Sequence, residues 1–147
     1  MIYLGVDPGQ KGGIAFLSTD SSYAEAEIMP GTVTQIVSSI KRFKGEIVMV
    51  VERAQPMPKQ GVSSVFSYGQ HFGCFEAIAA CLEMRYVTVR PAEWKKAMGL
   101  NSEKTHSILE AERLFPKVEL IPPRCRKPSD GIAEALLIAE YAKRKQL

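Results

Sequence analysis

Ile2-Tyr3-Leu4-Gly5-Val6-Asp7-Pro8-Gly9-Gln10-Lys11-Gly12-Gly13-Ile14-Ala15-Phe16-Leu17 sets an apolar run, a polar turn and a second apolar run end to end. Ile2, Leu4 and Val6 alternate with Tyr3 and Gly5, and Asp7 to Gly13 supplies turn residues before Ile14 resumes the apolar pattern, which predicts a β-hairpin. Downstream, residues 24 to 29 read as a third strand. Val33, Ile36, Val37 and Ile40 then fall at helical spacing behind the Pro30-Gly31 break, predicting a helix over 32–43. Ile47-Val48-Met49-Val50-Val51-Glu52 is an unbroken apolar run closed by an acid, the pattern of a central strand covered on both faces.

A Pro-rich loop at 56–61 separates that strand from a long helix expected over 62–84, on which Phe66, Phe72 and Phe75 are expected to lie near one another. Tyr86 to Val89 reads as a short strand. Helices are predicted from Pro91, from Glu103 to Phe115 and from Asp130 to Arg144, with a Pro-containing loop at 116–128 between the last two. The order β-β-β-α-β-α-β-α-α-α predicts an α/β fold, a mixed five-stranded sheet with helices on both faces. With 147 residues, 46% of them hydrophobic, and no low-complexity tract, residues 1–147 are expected to form one domain. No apolar run approaches ~20 residues and the N-terminus lacks a basic leader, so a soluble intracellular protein without a membrane partner is expected.

The chain holds 3 cysteines and 2 histidines. Cys74, Cys81 and Cys125 lack zinc-site spacing and read as small buried thiols, while His71 and His106 read as surface residues. Trp94 behind Pro91 predicts a helix anchored in the core, with a nucleic-acid contact beside Lys95 and Lys96 as the alternative. A formal charge of +3 says little alone. Clusters at Lys41, Arg42 and Lys44, at Lys95 and Lys96, at Lys117 with Arg124 to Lys127, and at Lys143 to Lys145 offer a path for a polyanion.

Four acids carry the chemistry. Asp7 and Glu52 end two strands expected to be neighbours, and an acid after five apolar residues costs several kcal/mol if buried without a partner. A shared cation answers that cost. Asp130 and Glu134, four residues apart, project from one face of the first turns of the last helix. If that helix begins beside the strand ends, four hard oxygen ligands converge, a set suited to magnesium or manganese. Taken singly, each acid also fits an ordinary role: Asp7 as a turn aspartate, Glu52 paired with Arg53, Asp130 as a helix N-cap, Glu134 as a solvated helix acid.

Gly5-Val6-Asp7-Pro8-Gly9, Gly12-Gly13-Ile14-Ala15, Val50-Val51-Glu52, Tyr68-Gly69-Gln70 with Gly73, and Asp130 to Ala139 together resemble the RuvC-type Holliday-junction resolvases, in their compact phage-borne and bacterial form. The resemblance implies an RNase H-like fold, a homodimer, and a crossover junction endodeoxyribonuclease that nicks a four-way DNA junction with two Mg2+ ions, Mn2+ substituting, in bacterial or phage-infected cytoplasm. It implies Asp7, Glu52, Asp130 and Glu134 as metal ligands and catalytic groups, with Lys104 in Ser102-Glu103-Lys104-Thr105 as a further catalytic residue. The family's last two ligands are usually three residues apart, a register that Lys127 and Asp130 would match at the expense of one ligand. An aromatic wedge usually follows the second acid. Here Arg53-Ala54-Gln55-Pro56-Met57-Pro58 has none, leaving Met57 or Phe66 for that task. Other readings are a related RNase H-like nuclease acting on other branched DNA or on RNA, a junction-binding module that does not cut, and an actin-like ATPase or sugar kinase. Members of this last class share the Asp-Pro-Gly opening but need a duplicated domain.

Overall fold

A computed structural model describes residues 1–53 and 61–147; Met57 and residues 56–60 of the expected loop lie outside them. The elements run β1 (Ile2–Asp7), β2 (Gly13–Ser18), β3 (Ala24–Ile28), α1 (Val33–Lys41), β4 (Ile47–Glu52), α2 (Val62–Cys81), β5 (Arg85–Val89), α3 (Pro91–Ala97), α4 (Lys104–Leu114) and α5 (Asp130–Lys145). Their order is the one expected. The five strands form one mixed sheet in the order β3-β2-β1-β4-β5, with β1 antiparallel to β2 and parallel to β4, and β4 parallel to β5.

Strand alternation sorts the apolar residues into two cores, one on each face of the sheet. Tyr3, Val48 and Val50 face one way, into a cluster with Trp94 of α3, Ala111 of α4 and most of α5. Leu4, Val6, Met49 and Val51 face the other way, against Ile36 and Ile40 of α1 and Phe75, Ile78 and Ala79 of α2. Every residue of α5 from Gly131 to Ala142 is buried, so Ile132, Ala135, Leu136 and Ala139 pack inward as expected and the residues between them are covered as well.

Two glycines let α5 lie directly on the sheet. A Cβ on Gly5 in the central strand would sit 2.2 Å from the carbonyl oxygen of Ala135, and one on Gly131 would sit 2.3 Å from that of Lys11. Backbone atoms fill both spaces. The second contact presses the start of α5 against the β1–β2 turn, beside the end of β1.

Three differences from the sequence reading have simple causes. α2 stops at Cys81 because Glu83 takes a left-handed backbone (φ 52) and Met84 N–H bonds back to Ala79, turning the chain into β5. Phe66 does not join the other two phenylalanines: it is 72% exposed while Phe75 is fully buried. Nine positions make two and a half helical turns, which puts the two rings on opposite sides. The cysteines are free thiols and none is buried; Cys81 and Cys125 are exposed and Cys74 half-buried. Among the described residues no helix is long and apolar enough to cross a membrane.

Candidate active site

The parallel register of β1 and β4 pairs Val6 with Val51, so Asp7 and Glu52 leave the sheet side by side at the same edge. Ser129 caps α5, its hydroxyl accepting from the Ile132 N–H at 3.3 Å, which leaves Asp130 at the first helical position with its carboxylate available. The N-cap role considered for Asp130 thus belongs to its neighbour. One turn on, Glu134 points at the strand ends. One carboxylate oxygen each from Asp7, Glu52 and Glu134 lie within 4.8 Å of one another.

Glu52 and Glu134, like Asp130, depart from their ordinary alternatives. Glu134 is 8% exposed and is not a solvated helix acid. Its Oε1 accepts from Lys95 Nζ at 2.8 Å and from Ser107 Oγ at 3.1 Å. Glu52 is buried, and its Oε2 accepts from the indole Nε1 of Trp94 at 2.6 Å, so its partner is Trp94 and not Arg53. Asp130 lies at the rim, with Lys104 Nζ 2.5 Å from its Oδ2. The Asp7 turn is held from the other side of the sheet, where the Gly9 N–H donates to His71 Nδ1 at 3.1 Å. Gly9 takes φ 113 there, a conformation open to glycine.

The electrostatics are those of a site short of positive charge. Burial pushes the Asp7 carboxyl well above the usual range, and Glu52, Glu134 and Asp130 push it further, with Lys95 opposing. Although Asp7 keeps some solvent contact, its carboxylate is packed on most sides, and desolvation is its largest influence. Glu52 is raised chiefly by burial and also by Glu134, against the hydrogen bond from Trp94 and the charge of Lys95. The Lys104 ammonium is held above its ordinary value, first by its bond to Asp130. Carboxylates crowded this closely accept a divalent cation readily, and an all-oxygen donor set is the chemistry of magnesium and manganese.

A cleft of about 490 Å³ opens over Asp7 and Asp130, walled by the β1–β2 turn with Lys11, by Ser63, Ser67 and Tyr68 of α2, and by Lys104. Arg124, Arg126 and Lys127 are exposed in the segment leading into α5. The other basic clusters are partly neutralised. Arg42 pairs with Glu25 at 2.9 Å, and Lys143 and Arg144 both pair with Glu140.

All four expected acids and Lys104 therefore fall at one sheet edge. The sequence reading left out Ser107, His71 as the anchor of the Asp7 turn, and the direct contacts of Trp94 and Lys95 with two of the acids. His71 is half-buried, not a surface residue. The signal available was the pair Trp94-Lys95 one turn behind Pro91, directly after the strand next to β4. Trp94 is fully buried, which answers the nucleic-acid alternative considered for it.

The sheet order and the last helix, buried from Gly131 to Ala142, define an RNase H-like α/β fold. No family model and no curated protein sequence matches the chain. Among solved structures, Thermus thermophilus RuvC matches at TM-score 0.66 and 15% identity over 99% of this chain and 97% of that one. The T. thermophilus RuvC in complex with a Holliday junction substrate matches at TM-score 0.63 and 16% identity, over 99% and 96%. The yeast mitochondrial Holliday junction resolvase Ydc2 matches at TM-score 0.60 and 14% identity, over 98% of this chain and 78% of that one. The chain has the fold of the RuvC-type resolvases.

Proposed function

We propose that this chain is a divalent-metal-dependent endonuclease that resolves four-way DNA junctions by paired symmetric nicks. The observation that carries the reading is the convergence of Asp7, Glu52 and Glu134 at one sheet edge, with Asp130 beside them, on a fold shared with junction resolvases. Asp7, Glu52 and Glu134, with Asp130 beside them, would hold the divalent metal, magnesium on this reading. When bound, such metal would supply an activated water and offset charge on the leaving 3′ oxygen.

The protein's own part is placement. Burial and the Trp94 bond fix Glu52, Lys95 and Ser107 fix Glu134, and His71 fixes the turn that follows Asp7. Lys104, 76% exposed at its side chain and at the mouth of the cleft, stands where a scissile phosphate would enter and would exchange Asp130 for that anion. The exposed Arg124, Arg126 and Lys127 would carry the backbone beyond it. Phe66, exposed on the first half of α2, would unstack bases at the junction centre. Residues 1–147 act as one nuclease domain. A two-fold dimer would set two such sites against a two-fold junction, working in bacterial or phage-infected cytoplasm.

A labelled immobile junction, a matched duplex and a splayed fork incubated with the protein, with and without magnesium, test this. Paired symmetric nicks on the junction alone, lost in Asp7→Asn while binding persists, are expected. Junction binding with no cutting under any divalent ion would instead mark a binding module.

A further inference from the structure

Glu52 and Glu134 each have one oxygen already held by a hydrogen bond. Glu52 Oε2 accepts the Trp94 indole N–H at 2.6 Å, and Glu134 Oε1 accepts both Lys95 and Ser107. Trp94 is 0% exposed and Glu52 8%, so water does not compete for that bond, and an N–H bonded to a carboxylate this short is of the strong, charge-assisted kind. The indole is also fixed in place. It is closed in by the core beneath α5, and the Lys95 ammonium stands 5.2 Å from its ring centroid.

Calcium and magnesium ask different things of a carboxylate. Calcium collects six to eight oxygens at about 2.3–2.6 Å and commonly takes both oxygens of one carboxylate, whereas magnesium takes six at about 2.0–2.1 Å, one from each group. A glutamate whose carboxylate is held in one orientation by a buried hydrogen bond on its second oxygen turns less freely to present both oxygens to one ion, and so serves the smaller ion.

We propose that Trp94 makes Glu52 a one-oxygen ligand and so biases this site against calcium. The inference rests on the reading of Asp7, Glu52 and Glu134 as metal ligands and adds a specificity-determining residue to it. Trp94 acts through Glu52 and is a positioning residue.

The chain contains 1 tryptophan, which allows a clean test. Replacing tryptophan throughout the full chain by its benzothienyl analogue puts sulfur in place of the indole N–H at nearly unchanged volume, and alters Trp94 alone. Magnesium and calcium affinities are then measured by calorimetry for the wild type, the analogue protein and Trp94→Phe, with no substrate present. The wild type is expected to favour magnesium, and loss of the N–H to narrow the calcium-to-magnesium ratio of dissociation constants by about 10-fold, the lower end of what outer-shell partners of metal ligands are worth. A purely structural role would lower both affinities together and leave the ratio unchanged, and that result overturns the proposal while leaving the metal site standing. If the wild type binds neither ion, the ligand reading fails and this proposal with it. Should Trp94→Phe fail to fold, the analogue protein, which leaves no cavity, gives the answer alone.

Discussion

The two strand-end acids and the two helix acids reach the same point in opposite electrostatic states. Asp7 and Glu52 are supported by burial and, for Glu52, by a neutral N–H donor, and both carboxyls are held above their ordinary values. Asp130 and Glu134 each have a lysine within ion-pair distance, Lys104 and Lys95. The strand pair therefore carries the unmet charge, while the helix pair carries lysines that must shift or be shared when a cation arrives. The strand ends supply the demand for metal, and the helix supplies groups that keep the fold together without it.

Substituting one acid of each pair breaks this comparison most sharply. Asp7→Asn is expected to lower junction cleavage by about a thousandfold, the scale of losing a group that organises transition-state charge. In metal-free buffer the same change is expected to raise the melting temperature at neutral pH. Folding raises the Asp7 pKa, so its contribution to stability is fully present below the ordinary aspartate range and is lost as pH rises through the raised value. The amide never pays that penalty. Glu134→Gln should do the reverse to stability, because it removes the charge facing Lys95 and lowers metal-free stability by about 1 kcal/mol, roughly 2–4 °C in a domain of this size. Thermal melts of both variants in chelator, at neutral and mildly acidic pH, decide the matter. Destabilisation by Asp7→Asn would mean that the strand pair is satisfied without a cation.

Gly131→Ala separates the pairs in space instead of in charge. Its new methyl would meet Lys11 and Gly12 backbone atoms at 2.3–2.7 Å, so α5 must lift away from the β1–β2 turn and carry Asp130 and Glu134 from Asp7. Overpacking of this kind costs about 1–3 kcal/mol. Magnesium affinity is expected to fall by more than that loss of stability explains, in a protein that still folds. Calorimetric titration beside a denaturant melt measures both, and an unchanged affinity would show that the approach of α5 does not set the site.

Much of this was legible from the chain alone, for definite reasons. Strand and helix periodicities are local, so the ten elements and their order could be read directly, and an acid closing an apolar run, as at Asp7 and Glu52, announces a strand end with a cost to be met. What could not be read depends on contacts between distant segments. Trp94 reaches Glu52 across 42 positions and Lys95 reaches Glu134 across 39, and both require knowing which side of α3 turns toward the sheet edge. The Phe66 error was one of angle along a single helix and was avoidable by counting turns. Cys74 and Cys81 misled because a small side chain fits the outer face of a helix as well as a core, and Cys125 because it fits a surface loop equally well.

Lys95 is where the two pairs touch, and removing it has the smallest expected effect on metal binding and the most specific one. Its ammonium bonds Glu134 and at the same time lowers the pKa of both Asp7 and Glu52. In Lys95→Met both strand carboxyls should hold their protons to higher pH, so the acidic limb of manganese binding moves upward in pH while affinity at alkaline pH is largely kept. The stability cost is expected to be about 2 kcal/mol, between the limits for exposed and buried pairs, since both side chains are mostly but not wholly covered. Manganese titrations followed by electron paramagnetic resonance across the acidic range give the limb directly. A limb that stays in place would show that Lys95 serves Glu134 alone, and the strand and helix acids would then be two independent pairs meeting at one edge.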